Sequence, residues 1–233
     1  MVILENVYKT YRNGVNALND VSLTIDDGEF VYVIGNTGSG KSTLIKLLDG
    51  EEIPSKGTVM VNDVNVGRLR FSKVPLYRRN IGVVFQDYRL LEYKTIYENV
   101  AYSLEVIGLP SLDIHRRVRE VLDIVDLQDK ARSFPNQLSG GQQQRATIAR
   151  AIANKPKLLI ADEPTGNLDP HKSNEIVELL EKINGTGTTV IMVTHSDYLV
   201  DKYRHRTIKL QEGHVVADMK EGGYMPDVQS HRP

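Results

Sequence analysis

The densest chemical signal in the chain is Gly35, Asn36, Thr37, Gly38, Ser39, Gly40, Lys41, Ser42 and Thr43 in succession. The first eight fit G-x-x-x-x-G-K-[ST], a loop that needs a strand before it and a helix after it. Its glycines let successive backbone N–H groups turn toward one anion, and the start of the helix adds a partial positive charge of about half a unit. Lys41 is placed to reach the β- and γ-phosphates of a nucleoside triphosphate, and the Ser42 hydroxyl to ligate Mg²⁺. This chemistry is triphosphate binding, and it leaves open what the energy is used for.

Two further segments add to it. Leu158-Leu159-Ile160-Ala161-Asp162-Glu163 is an apolar run ending in two carboxylates. Such an ending needs a partner to offset the cost of desolvation. Mg²⁺ suits Asp162, and Glu163 is then free to orient and polarise an attacking water, a role worth ~10²–10⁴ in rate. The other segment is Leu138-Ser139-Gly140-Gly141-Gln142. Ser139 and Gln142 stand at capping-box spacing, so a helix starts there with two glycines and offers a second phosphate-binding surface. One chain therefore has two such surfaces and a single lysine-bearing loop.

The surrounding pattern supplies the elements. Val2 to Val7 and Val21 to Ile25 read as strands, with turns at Asn13-Gly14 and at Asp26-Asp27-Gly28. Phe30 to Ile34 is a short apolar run, the mark of a strand buried on both faces. It leads through the glycine-rich loop into a helix over Lys41 to Leu48. Ile81 to Phe85, Leu158 to Ala161 and Thr189 to Val193 read as further strands. Thr95 and Glu98 form a capping box that opens a helical stretch to about Asp126. In it Ile114, Val118, Val121, Leu122 and Val125 make one apolar stripe. Ser139 to about Ala153 and Ser173 to Ile183 read as helices. Two short strands, Thr207 to Leu210 and His214 to Ala217, flank Glu212-Gly213. The reading is an α/β core interrupted by a helical insertion: a core lobe over about 1–87 and 155–218, a helical part over about 88–154, and a flexible tail over 219–233.

Composition narrows the function classes. The chain has 233 residues, 29 Lys+Arg against 30 Asp+Glu, and no cysteine. A net charge of −1 gives no general drive toward nucleic acid. The absence of cysteine excludes disulfide scaffolds, thiol catalysis and Cys-ligated zinc. No apolar run approaches the ~20 residues of a membrane-spanning helix, and Met1-Val2-Ile3-Leu4-Glu5 has no basic n-region or long apolar stretch. The expectation is a cytoplasmic chain that meets a membrane through a partner.

Leu138-Ser139-Gly140-Gly141-Gln142 is the signature of the ABC-type ATPases, and the chain resembles one nucleotide-binding domain of that family from Leu4 to about Ala217. The resemblance implies a P-loop NTPase fold: a RecA-like α/β core, an N-terminal antiparallel β subdomain and an α-helical insertion. It implies ATP and Mg²⁺, with Ser42, Gln86 and Asp162 at the metal and Glu163 and His195 in catalysis. Gln86 matches the Q-loop glutamine, Gly166-Asn167-Leu168-Asp169 the D-loop, His195 the switch histidine and Tyr11 the aromatic on which adenine stacks. It also implies a head-to-tail homodimer on ATP binding, in which Ser139, Gly140, Gly141 and Gln142 of one subunit face the ATP on the other's P-loop.

Within the family, Ile81 to Leu91, Val74-Pro75-Leu76 ahead of Arg78-Arg79, and Tyr97-Glu98-Asn99-Val100-Ala101 resemble the cell-division branch, whose members work with an integral membrane partner. The ATPase of a lipoprotein, macrolide or amino-acid transporter is the alternative. Tyr88, Arg89, Leu90, Leu91 and Tyr93 have the composition of an interface core, with packing inside the lobe as the equal reading. Arg116, Arg117 and Arg119 read as a solvated helix face.

Overall fold

The computed structural model describes residues 1–220 and 222–223. The expected tail over 219–233 falls mostly outside the described residues. Two sheets organise the chain. The first pairs β1 (Val2–Thr10) with β2 (Asn16–Ile25) on one side and β4 (Lys56–Val61) on the other, all antiparallel, with the two-residue β5 (Val64–Asn65) at its edge. The β4 strand has no clear period-2 signal. It is recruited by pairing, Val2 against Val61 and Leu4 against Val59.

The second sheet has six strands in the order β10-β9-β3-β8-β7-β6: His214–Met219, Arg206–Gln211, Phe30–Ile34, Thr189–Val193, Leu158–Asp162 and Ile81–Val84. From β9 to β6 every pair is parallel, and β10 adds antiparallel to β9. All five residues of β3 and of β8 are buried. Their side chains divide by parity. Val31, Val33, Ile160, Ile191 and Val193 join a core with the antiparallel sheet and α1 (Lys41–Leu48), while Phe30, Tyr32, Leu159, Ala161 and Met192 join a second core under the helices.

The helical stretch from Thr95 to about Asp126 is made of two helices, α3 (Ile96–Val106) and α4 (Ser111–Ile124). The break follows from Gly108 in the left-handed region at φ 82 and from Pro110, which has no N–H to continue the ladder. The Thr95–Glu98 capping box forms, and the stripe Ile114, Val118, Val121, Leu122 and Val125 is buried. It packs in the same core as α5 (Gly140–Ile152) and α6 (Pro170–Asn184). The short helices α2 (Val74–Arg78) and α7 (Asp197–Lys202) complete the fold.

The arginines of α4 are not a uniform solvated face. Arg117 is mostly buried and donates to the carbonyls of Ile152 and Ala153, closing the free end of α5.

Asn99 in α3 is fully buried and holds the loop ahead of its own helix. Its Oδ1 accepts from Leu91 N at 2.7 Å, and its Nδ2 donates to the carbonyls of Leu91, Lys94 and Thr95 at 3.0–3.1 Å. Asn99→Ala strands the buried loop groups and is expected to cost about 1–3 kcal/mol in denaturant unfolding. A loss of no more than a few tenths of that would mean that the loop holds its own shape.

Candidate nucleotide-hydrolysis site

In a parallel sheet covered on both faces, polar chemistry collects where the strands end at their carboxyl edge. The register fixes which residues meet there. Val84 pairs with Ala161, Asp162 with Val193, and Val193 with Val33. The exits of β6, β7, β8 and β3 therefore lie side by side, and they deliver Gln86, Asp162 and Glu163, His195, and the loop from Gly35.

That loop is shaped by close approaches. A Cβ on Gly35 would sit 2.2 Å from the Leu210 carbonyl oxygen, and one on Gly40 2.7 Å from that of Ala17. Gly40 also takes φ 109 at the start of α1, a value closed to most side chains. Asn36, Thr37, Gly38 and Ser39 form the turn between, pinned by Ser39 N to Asn36 O at 3.1 Å and Gly213 N to Ser39 O at 3.0 Å. Lys41 folds back over the loop, donating to the Gly35 carbonyl and to Asn36 O at 3.0 Å. Burial lowers its pKa, and the nearby Glu163 and Asp162 oppose that shift. Ser42 and Thr43 open α1. Tyr11, at the end of β1, places its hydroxyl 3.2 Å from Thr43 Oγ1, which sets its ring beside the loop–helix junction.

Asp162 ends β7. Its pKa is raised first by burial and next by the neighbouring Glu163, with Lys41 pulling it down. Glu163 takes φ 48, a left-handed backbone that costs about 1–3 kcal/mol in a non-glycine residue. Its N–H is anchored to Val193 O at 3.0 Å. The side chain is 17% exposed, and Oε2 lies 2.8 Å from Nδ1 of His195, whose own side chain is 70% exposed. The approach is close, yet no N–H is aligned on that buried oxygen. Gln86 is seated against the next loop, its Nε2 2.9 Å from the place a Cβ of Gly166 would occupy, and its carbonyl accepts from Asn167 Nδ2 at 3.3 Å.

The second glycine cap lies elsewhere. Ser139 caps α5 reciprocally with Gln142: Ser139 N donates to Gln142 Oε1 at 3.0 Å and Gln142 N to Ser139 Oγ at 3.4 Å. Gly140 sits under the Tyr88 hydroxyl and Gly141 against the Lys172 side chain, so their nearest neighbours are not the lysine-bearing loop. Asp169 caps α6, accepting from Lys172 N at 2.9 Å, and that bond leads the lowering of its pKa.

Sequence reading missed the residues that hold the segment after Gln86. Tyr88 and Arg89 are successive left-handed residues, φ 49 and 50. Their carbonyls are gripped from α5: Arg150 donates to Arg89 O at 2.5 Å and Tyr88 O at 3.1 Å, and Thr147 Oγ1 reaches Tyr88 O at 3.2 Å. The helix that begins with the second glycine cap is thus tied to the loop that carries Gln86. Nothing in the local sequence marks Arg150 for this, because its partners are backbone atoms some sixty residues away.

Comparison with known proteins agrees with this geometry. Residues 18–166 match the ABC transporter family model. The chain is 52% identical over 224 residues to the cell division ATP-binding protein FtsE of Bacillus subtilis, covering 96% of this chain and 98% of that one. It is 46% identical to the FtsE of Escherichia coli, over 92% and 97% of the two chains. Among solved structures it superposes on the dimeric ATP-binding cassette MJ0796 bound to ADP and Pi with a TM-score of 0.85 and 39% identity, covering 96% of this chain and all of that one. With cbiO1 of Clostridium perfringens the TM-score is 0.88 at 31% identity, over 94% and 88% of the two chains. The chain belongs to the ABC ATPase family: it binds and hydrolyses ATP on a P-loop α/β core. Within the family its likeness is to the FtsE cell-division proteins.

Asp162 is ionised at a cost in the nucleotide-free chain. A carboxyl whose folded pKa is raised subtracts stability above its unfolded pKa. Asp162→Asn is therefore expected to melt a few degrees higher than the parent at neutral pH without nucleotide. The gain should shrink as pH falls through the raised folded pKa of Asp162 and be gone below the ordinary carboxylate range near 4, where the carboxyl is protonated in the folded and the unfolded chain alike. A lower melting temperature would show that the charge is already compensated.

Proposed function

We propose that ATP hydrolysis by this chain runs on the residues at the carboxyl edge of the sheet and drives a membrane partner in cell division. The observation that carries the first part is the convergence of Lys41, Gln86, Asp162, Glu163 and His195 beside one anion cradle. Lys41 exchanges the Gly35 and Asn36 carbonyls for the β- and γ-phosphates, and N–H groups from Gly38 to Thr43 hold the phosphate oxygens. Tyr11 offers its ring to the adenine. Glu163 accepts the proton of the attacking water as its oxygen bonds to the γ-phosphorus and the bond to the β-phosphate oxygen breaks. His195 sits against Glu163, Nδ1 beside Oε2, and faces the γ-phosphate.

The donor set fits Mg²⁺. Asp162 is a half-buried carboxylate whose charge Lys41 and Arg89 offset only in part, and Ser42 and Gln86 add neutral oxygens of the kind a hard cation prefers. When bound there, the ion supplies charge neutralisation across the β- and γ-phosphates.

Ser139, Gly140, Gly141 and Gln142 complete the site from a second copy. The support is that they form a second glycine cap whose nearest neighbours are Tyr88, Leu168 and Lys172 and not the lysine-bearing loop, and that the MJ0796 cassette is a dimer. Asp169, on the segment after Gly166, lies at the same face. The docking surface for the integral membrane partner is a cleft of about 730 Å³ between the Gln86 loop and the helical layer. It is lined by Tyr88, Arg89, Leu90, Tyr93, Phe134 and Pro135. Tyr93 is 94% exposed there, in the aromatic and aliphatic mixture that interface cores favour. Movement of that partner reaches the site through Gln86 and, by the Arg150 grip, through α5. The likeness to FtsE proteins supports an FtsX-like partner at the cytoplasmic face of the cell membrane, and activation of peptidoglycan hydrolases as the output.

Glu163→Gln is expected to keep ATP binding, lower turnover by at least about a hundredfold, and elute as an ATP-dependent dimer in gel filtration. Turnover near the parental rate would remove Glu163 from the role of base. Tagged Glu163→Gln with ATP, pulled down from native membranes, should retain a four-span protein with a large extracellular domain. Recovery of a many-span permease would leave the chemistry standing and move the function to transport.

A further inference from the structure

The charge of this chain is unevenly placed. Val66 to Arg79 contains Arg68, Arg70, Lys73, Arg78 and Arg79 and no acidic residue, in a chain whose net charge is −1. Fourteen residues thus carry +5, which leaves −6 on the rest. All five cations are exposed. None of them has a carboxylate within ion-pair distance among the described residues. Of the nearby acids, Glu51 pairs with Lys46 and Glu52 with Lys9, while Asp49 is attracted to Arg78 without forming an ion pair with it.

The segment is held firmly at both ends and projects between them. Val66 is buried, and so is Tyr77, whose hydroxyl donates to Leu48 O at the end of α1. Arg78 Nε donates to Asp49 O at 2.9 Å, so the cation also sits at the negative end of that helix. Between these anchors the backbone makes two single 3₁₀ turns separated by extended residues Leu69 and Arg70. At the outer turn Phe71 is 94% exposed, flanked by Arg70 and Lys73, with Leu76 47% exposed on the following helix. An aromatic side chain this bare is costly to leave in water.

We propose that Arg68–Arg79 is a lipid-contact surface. Phe71 enters the boundary between headgroups and acyl chains of an anionic leaflet, and Arg68, Arg70, Lys73 and Arg79 pair with headgroup phosphates. A protruding aromatic ringed by cations is the pattern of interfacial membrane binding. Phe71 stands bare among exposed cations, so a protein partner would have to supply both a pocket and several carboxylates in matching places. A leaflet supplies apolar depth and negative charge without any such shape. Nor is the tip a groove able to track a nucleic-acid backbone. The segment runs directly into the edge strand β6 and so into Gln86, which places the contact next in sequence to the cleft assigned to the membrane partner. It is independent of the catalytic assignments, and its failure would leave them intact.

The chain has no tryptophan, so Phe71→Trp creates a single fluorescent reporter at the tip. With vesicles of phosphatidylglycerol and phosphatidylcholine in equal parts, its emission is expected to shift to the blue, and with phosphatidylcholine alone to stay unchanged. In sedimentation the parent chain should pellet with the anionic vesicles at low salt and leave them at high salt. Phe71→Ser should weaken binding about fivefold, and Arg70→Glu with Lys73→Glu at least about twentyfold. All three variants should keep the parental ATPase rate, which excludes misfolding as the cause. No blue shift, equal binding to both vesicles, or unchanged binding by the double variant overturns the proposal. So does binding of the tip to short duplex DNA without binding to vesicles.

Discussion

Burial of the central strands of the six-stranded sheet on both faces is the constraint on which the rest depends. Because neither face meets water, β3, β7 and β8 are apolar along their length, and their polar residues are confined to the ends. Parallel pairing then aligns the ends of four strands that are far apart in sequence. A lysine, a glutamine, two carboxylates and a histidine come together because the core has excluded them from everywhere else. The same parity divides the interior into two cores, one under the antiparallel sheet and one under the helices. The helical layer is thereby fixed to the face opposite α1.

The site is built at a cost. Asp162 sits where burial opposes its charge, Lys41 likewise, and Glu163 holds a left-handed backbone. Tyr88 and Arg89 repeat that conformation in the loop after Gln86. Strained residues of this kind persist only where their surroundings over-determine them. Here those surroundings are the Val193 carbonyl behind Glu163 and the guanidinium of Arg150 behind Tyr88 and Arg89. A loop held by two side chains of a neighbouring helix, Thr147 and Arg150, is suited to transmitting small displacements, since few bonds need to change. The cost of ionised groups without ligand also means that bound nucleotide can return part of it.

The outer surface shows a second division of labour. The Gln86 loop and the residues near Phe134 form a cleft lined by aromatic, aliphatic and polar side chains together. The segment just before β6 is cationic and carries a bare aromatic. One edge of the sheet thus carries a mixed cleft and, just before it in sequence, a cationic exposed tip.

Much of this was legible in the residues. The loop from Gly35 to Ser42, the acidic strand end at Asp162-Glu163 and the cap at Ser139 are local patterns, because phosphate binding and helix capping use consecutive backbone groups. The apolar runs of β3 and β8 and the stripe of α4 are equally local, since period and burial are properties of neighbours along the chain. The strand Lys56–Val61 escaped notice because pairing with β1, not its own pattern, makes it a strand. Asn99, Thr147 and Arg150 escaped because their partners are backbone carbonyls and amides, which carry no sequence identity. The sequence by itself determined which chemical groups exist and which short segments could hold phosphate. Only the tertiary structure decided that five of those groups share one edge, that the glycines of the Ser139 cap pack against Tyr88 and Lys172, and that Phe71 stands in solvent. The reason is that strand order, register and exposure are set by which surfaces pack together, a relation between distant residues that no local spacing records.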